Sequence, residues 1–194
     1  TALGETDTPR GWSPGKATGG ILMHVDSGDV VMRGFAMPHS PRWRDGSLWL
    51  LNSGLGQLWR VDPQRGAHDM VAELPGYLSG LCFVGPYAAI GMSKIREKHT
   101  FGGLPVQARY GQLTCGVAIV DTRDGRIVGN LTFPQGAEEL YDVAYLPGRR
   151  RPTILNQSRD AVRDAITTPD FAYWVPDSKR DADEADAAKK GESG

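Results

Sequence analysis

Long apolar runs are missing from this sequence, and so is any imbalance of charge. No stretch approaches the about 20 residues that cross a bilayer, and no charged start followed by an apolar core marks an export signal. Lys and Arg number 22 against 23 Asp and Glu, a formal net charge of -1, which gives no bulk pull toward nucleic acid or a membrane surface. Only two cysteines occur, Cys82 and Cys115, both inside apolar strand-like runs without metal-ligand spacing. That scarcity argues against a disulfide framework and for buried, reduced thiols in a cytoplasmic setting. The chain starts at Thr1 in mid-pattern, so it reads as truncated at the N-terminus, with room for an export signal upstream.

What is present is turn chemistry. With 25 Gly and 13 Pro among 194 residues, the composition is high for a helical protein and ordinary for one of short strands. Met37 to Asp62, MPHSPRWRDGSLWLLNSGLGQLWRVD, reads as three strands broken by Asp45-Gly46 and Asn52-Ser53-Gly54, both hairpin signals. Three segments then repeat one plan, an apolar strand ending in Asp, a turn with Gly and a second strand: Ile21 to Phe35, Leu58 to Leu74 and Val117 to Phe133. A second element recurs as Ser40-Pro41-Arg42-Trp43, Gly80-Leu81-Cys82-Phe83 and Asp142-Val143-Ala144-Tyr145. Each is followed by a turn and an apolar strand.

Together these make units of four antiparallel strands spaced by about 40 residues, within the range of propeller blades. The expected fold is all-β, a partial β-propeller over residues 1–157 with about three blades' worth of strands. Residues 1–36 supply the last three strands of one blade, 37–75 a full blade, 76–134 a full blade with an insertion and 135–157 the first two strands of another. A closed ring needs roughly 4–8 blades, so the missing ones are expected from an upstream segment or another copy. Residues 158–175 form a docking segment with a short helix from Arg159 to Ile166, and residues 176–194 a polar tail expected to be disordered. Trp43, Trp49 and Trp59 are expected to pack between blades. Asp26, Asp62 and Asp121, each before a turn, are expected to cap their own backbone.

Strand direction alternates in a meander, so the start of the first strand and the loop between the second and third share one face. His39, Ser79 and Tyr141, each just before an inner strand, therefore fall at one mouth, with Asn52 and Ser93. The two long insertions, residues 4–18 and 93–114, overhang the same mouth, and long loops on a rigid scaffold are where binding residues collect. Trp12 is the best anchor of the first. The second carries Arg96, His99 and Arg109 interleaved with Phe101 and Tyr110, a composition suited to an anionic ligand. His39, flanked by Pro38 and Pro41, is the best candidate base or metal ligand, with Glu139 and Asp142 as assisting carboxylates.

Two resemblances rest on these residues. TALGETD, MPHSPRW, LNSG with GQLWRVD, SGLCFVGPYAAIGMSKIRE, FGGLP, CGVAIVD and EELYDV resemble the C-terminal part of an uncharacterised bacterial family of domain-of-unknown-function proteins, which implies a propeller-like fold and no defined reaction. SPRWRDGSLWLLNSGLGQLWRVDP is also remotely similar to the first blade of gluconolactonase and regucalcin-like propellers. That likeness implies a divalent cation in the channel, on a Glu where this chain has His39, with Asn or Asp where it has Ser79 and Tyr141. The exchange removes the carboxylate charge that a hard cation needs and leaves a softer metal on His39. Two functions follow as expectations. The first is a binding or scaffold protein that holds a small polar or peptide ligand through Asn52, Ser79, Arg96, His99 and Tyr141. The second is a metal-assisted hydrolase or lyase using His39, Glu139 and Asp142. A fragment without independent function is the third expectation.

Overall fold

A computed structural model describes residues 1–95 and 102–150, and the backbone alone of residues 165–167 and 172–174. The chain divides after Leu146 into two units. Among the described residues the first holds ten strands: β1 Gly20–Met23, β2 Val30–Phe35, β3 Pro38–Arg44, β4 Ser47–Asn52, β5 Gln57–Asp62, β6 Ala67–Glu73, β7 Tyr77–Val84, β8 Tyr87–Ser93, β9 Gly116–Asp121 and β10 Ile127–Thr132. They form a β1-β2 ribbon and two four-stranded antiparallel sheets, β3-β4-β5-β6 and β7-β8-β9-β10, each in chain order. Among the described residues these sheets do not close on themselves.

Local chemistry sets the turns. Asp45 and Gly46 both take positive φ, 50° and 73°, between the paired Arg44 and Ser47, as a tight two-residue hairpin turn requires. Asp62 Oδ1 accepts the Gln64 and Arg65 amides at 3.1 and 3.2 Å, and Asp121 Oδ1 accepts the Arg123 amide at 3.0 Å, the capping expected of both. The inner strands β3 and β7 share a register shift, after His39 in one and Leu78 in the other, and Ser40 and Gly80 both lie at positive φ in it. The Gly80 amide donates to Ser40 Oγ at 2.9 Å, tying one inner strand to the next.

Period-two alternation then builds the core. Trp49, Leu51, Leu58, Ala72 and Leu74 of one sheet pack against Leu78, Leu81, Ala88, Ile90, Met92, Ala118 and Val120 of the other. Leu50 and Val61, on the opposite face, meet Leu22 and Phe35 of the ribbon. Trp49 is buried with its ring edge-on to Phe83, and Trp59 is partly buried between Phe35 and a stacked His68.

Four expectations are corrected. Residues 1–36 supply two strands, with the third reduced to a single Ala2 to Ile21 bridge. Trp43 is 69% exposed rather than packed: it pairs with Leu48 at the turn end of the β3-β4 hairpin, outside the apolar clusters of the described residues. Asp142 to Tyr145 is not a strand: the chain just before it is held through side chains, with Leu140 and Tyr141 bonded to Ser93 and Ser79 in place of a ladder. In the second unit, Ala165 and Ile166, expected at the end of a helix, lie in a strand, β11 Ala165–Thr167, paired antiparallel with β12 Ala172–Trp174. The rest of that segment and the polar tail lie outside the described residues, as do Thr153 to Gln157.

A short helix, α1 Pro105–Tyr110, forms inside the second long loop, where Pro105 opens it and Gly111 at positive φ closes it.

Candidate functional site

His39, Ser79, Glu139 and Tyr141 come together. They line one cavity of about 160 Å³ with Ser93, Leu140, Met37, Tyr77, Leu3 and Trp12. The cause is the repeat itself: β3 and β7 lie side by side, and the segment before Val143 lies beside β7 in turn. Ser79 Oγ donates to the Tyr141 carbonyl at 2.7 Å, the Leu140 amide donates to Ser93 Oγ at 2.8 Å, and the Lys94 amide donates to the Glu138 carbonyl at 2.8 Å. Residues 138–141 are thereby fixed as one wall.

Leu3 and Trp12 close one side of the cavity. They cluster on Met37 and Tyr77 together with Ile95, Leu104, Val106, Tyr110 and Leu113 of the second long loop. Arg109 does not point to a ligand role; it pairs with Glu73, which also accepts from Gln57 Nε2 at 2.6 Å, while Trp59 Nε1 donates to Gln57 Oε1 at 2.9 Å. That chain of bonds pins α1 to sheet β3-β4-β5-β6.

His39 is oriented by its surroundings. Nδ1 lies 2.9 Å from the Met37 carbonyl, 3.2 Å from Ser53 Oγ and 3.4 Å from the Tyr77 hydroxyl. A carbonyl only accepts, which assigns the ring proton to Nδ1 and leaves Nε2 with the lone pair. Burial lowers the His39 pKa below its ordinary value, outweighing the Met37 bond that opposes the shift, so the ring is neutral. The Tyr77 ring stands edge-on to His39, with centroids 5.6 Å apart. Its phenol is pushed well above its ordinary value, first by burial and then by the Glu139 charge, and stays a hydroxyl donor.

The remaining site residues go elsewhere. Asn52 is fully buried, its Oδ1 accepting the Ala36 amide at 2.8 Å, so it braces the link from β2 to β3 and does not line the cavity. Asp142 is exposed, 3.5 Å from Arg42, with its Oδ1 accepting the Val143 amide. Arg96, His99 and Phe101 lie outside the described residues. The donor set does not suit a metal ion: among the described residues no three His, Cys, Asp or Glu side chains are grouped to hold one. Both cysteines are unpaired, with thiol pKa values raised chiefly by burial, which makes them poor nucleophiles. Tyr77 and Met37 were not read from sequence, although Met37 immediately precedes the Pro38 to Asn52 pair and Tyr77 pairs with Ser93, both positions marked by strand parity.

Successive antiparallel meanders with a small, mostly apolar cavity at one end define a β-rich fold. The chain belongs to the family described as a domain of unknown function (DUF4915), which matches residues 1–155. No curated protein matches it. Among the described residues no helix is long and apolar enough to cross a membrane.

Proposed function

We propose that the chain is part of a β-propeller whose mouth-side cavity binds a small polar ligand. The propeller reading is supported by two four-stranded meanders in chain order, their inner strands adjacent, and a third inner segment beginning at the same relative place. The ligand reading is carried by one observation: His39, Ser79, Ser93, Glu139 and Tyr141 face a single cavity roofed by Trp12 and Tyr77. A volume of about 160 Å³, below the roughly 300 Å³ at which drug-sized clefts begin, suits a compact molecule. Mixed walls favour one that is part apolar and offers hydrogen-bond partners to the neutral imidazole and the phenol. The test is a thermal-shift and amide-resonance screen with three probe sets: small hydroxy acids, free amino acids and monosaccharides. Binding moves resonances of residues 37–39, 77–79 and 139–141 and is lost in Ser79→Phe, whose ring fills the space. Shifts confined to other residues refute it.

A second reading is favoured by the His39 geometry. A neutral imidazole with Nδ1 held by a main-chain carbonyl presents Nε2 as a general base, and a hydrolase or lyase acting on a small polar substrate would use it with Glu139. No step here is routed through a metal. His39→Gln separates the two readings: a binding protein keeps measurable affinity for its ligand and an enzyme loses turnover.

A further inference from the structure

The polar atoms around the cavity have already committed most of their protons, and what they keep is lone pairs. Ser79 Oγ donates its hydrogen to the Tyr141 carbonyl at 2.7 Å, which leaves the oxygen as an acceptor. Ser93 Oγ donates to the Leu140 carbonyl at 3.3 Å and accepts the Leu140 amide at 2.8 Å, with one lone pair over. At His39 the proton lies on Nδ1, toward the Met37 carbonyl, so Nε2 is an acceptor, and it meets no hydrogen-bond partner among the described residues. The Tyr77 hydroxyl is directed at Met37 Sδ, 3.9 Å away.

Charge has the same bias. Among the described residues that line the cavity, Glu139 supplies a carboxylate, and there is neither lysine nor arginine. A carboxylate offers about four lone-pair sites, so Glu139 serves a ligand beside whatever else it meets. A ligand suited to this lining brings donors and positive charge. Taking a charge out of water is costly unless it is paired, and an ammonium finds its counter-charge in the wall. A carboxylate ligand would meet a like charge and oxygens whose hydrogens are already given. The rings of Trp12 and Tyr77 line the same space, and aromatic faces attract cations within about 6 Å. The rest of the wall is mostly apolar and takes a hydrocarbon body. On the footing that the cavity binds a ligand at all, we propose that its ligand class is a primary amine on a compact hydrocarbon body, held as the ammonium by Glu139, with His39 Nε2 and Ser79 Oγ as the other acceptors. The three N–H donors of one nitrogen equal in number these acceptors, which come from β3, β7 and the segment 138–141.

The test titrates the full chain at neutral pH with isobutylamine, isobutanol, isobutyrate and tetramethylammonium, and follows amide resonances. Isobutylamine is expected to shift residues 37–39, 77–79 and 139–141 and to bind at least tenfold tighter than isobutanol. Isobutyrate, and tetramethylammonium, which brings charge without donors, leave those residues unmoved. Glu139→Gln removes the preference, bringing amine affinity down at least tenfold to that of the alcohol. The wall is fixed by main-chain atoms of residues 138, 140 and 141, so this change leaves it in place. An amine-to-alcohol ratio unchanged in Glu139→Gln overturns the proposal, as does binding of isobutyrate or tetramethylammonium as tight as that of the amine. Shifts at the cavity residues with the acid or the alcohol but not the amine overturn the amine assignment and leave the cavity reading standing. If none of these probes, and none of the hydroxy acids, amino acids and monosaccharides, moves those residues, both fall together.

Discussion

At the scale of single residues, two buried or tethered groups make stability depend on pH in separate windows. His39 is a base whose folded pKa lies below the ordinary 6.5 because burial disfavours the charged ring. The folded state therefore binds fewer protons than the unfolded one. Stability is whole above about 6.5 and declines as pH falls through that value toward the folded pKa. Replacing His39 by Phe should flatten the urea midpoint between about pH 7 and 5, where the parent loses stability; a parent profile equally flat would show that the ring is not buried neutral. Asp121 works further down the scale. Its carboxylate is held at about 2 from an ordinary 3.8, first by the Arg123 side chain, whose Nε and Nη2 donate at 2.9 and 2.5 Å, and then by the Arg123 amide. A depressed acid stabilises above its unfolded pKa and stops doing so as pH falls through the folded one. The gap between parent and Asp121→Asn should thus be largest at neutral pH, narrow below about 3.8 and close near 2. Guanidinium titrations at matched ionic strength measure it, and a gap independent of pH contradicts the pairing.

At the scale of elements, the inner strands decide how the sheets sit beside one another. Gly80 takes a φ of +83°, and a Cβ there would lie 2.4 Å from the Val143 amide nitrogen. Gly80→Ala must strain the bulge and push the cavity wall away, at more than about 1 kcal/mol; a shift in urea midpoint together with loss of cavity binding is the expected pair of results. Arg109→Ala tests the anchoring of α1. The Arg109 to Glu73 pair is about a third exposed at each end, so global stability should change by less than about 1 kcal/mol, while limited proteolysis of residues 94–115 should speed up several-fold. Much of this level was legible in the sequence because it is written locally: the Asp45-Gly46 turn, the Asp caps and the period-two runs each depend on neighbours along the chain. What was not legible depends on partners. The third strand expected before β1, the strand expected at Asp142 to Tyr145 and the burial of Trp43 all need a neighbouring strand, and a repeat pattern does not say whether one is there. Strand parity gathers His39, Ser79, Ser93 and Tyr141, which line one cavity; Glu139 beside them was read from its neighbours in the chain and not from parity, and Asn52 has the right parity but is consumed by the Ala36 amide.

At the scale of the whole first unit, cooperativity follows from where the apolar surface is shared. The cluster around Leu58, Leu78, Leu81 and Ile90 belongs to both four-stranded sheets at once, so each loses its largest buried face if the other leaves. The ribbon is attached differently, through the smaller group of Leu22, Phe35, Leu50 and Val61. The two sheets should therefore unfold in one transition, with near- and far-ultraviolet circular dichroism coincident, and Leu58→Ala should lower its free energy by about 2–5 kcal/mol. Leu22→Ala should act on the ribbon first, raising hydrogen exchange in β1 and β2 well below the main transition and moving that transition less than Leu58→Ala does. A polydisperse chain with no cooperative transition would instead mean that these residues fold only as part of something larger. Two separate melts for the sheets β3-β4-β5-β6 and β7-β8-β9-β10 would mean that they do not share a core, and the cavity, which draws His39 from one sheet and Ser79 from the other, would lose the rigidity that makes it a binding site.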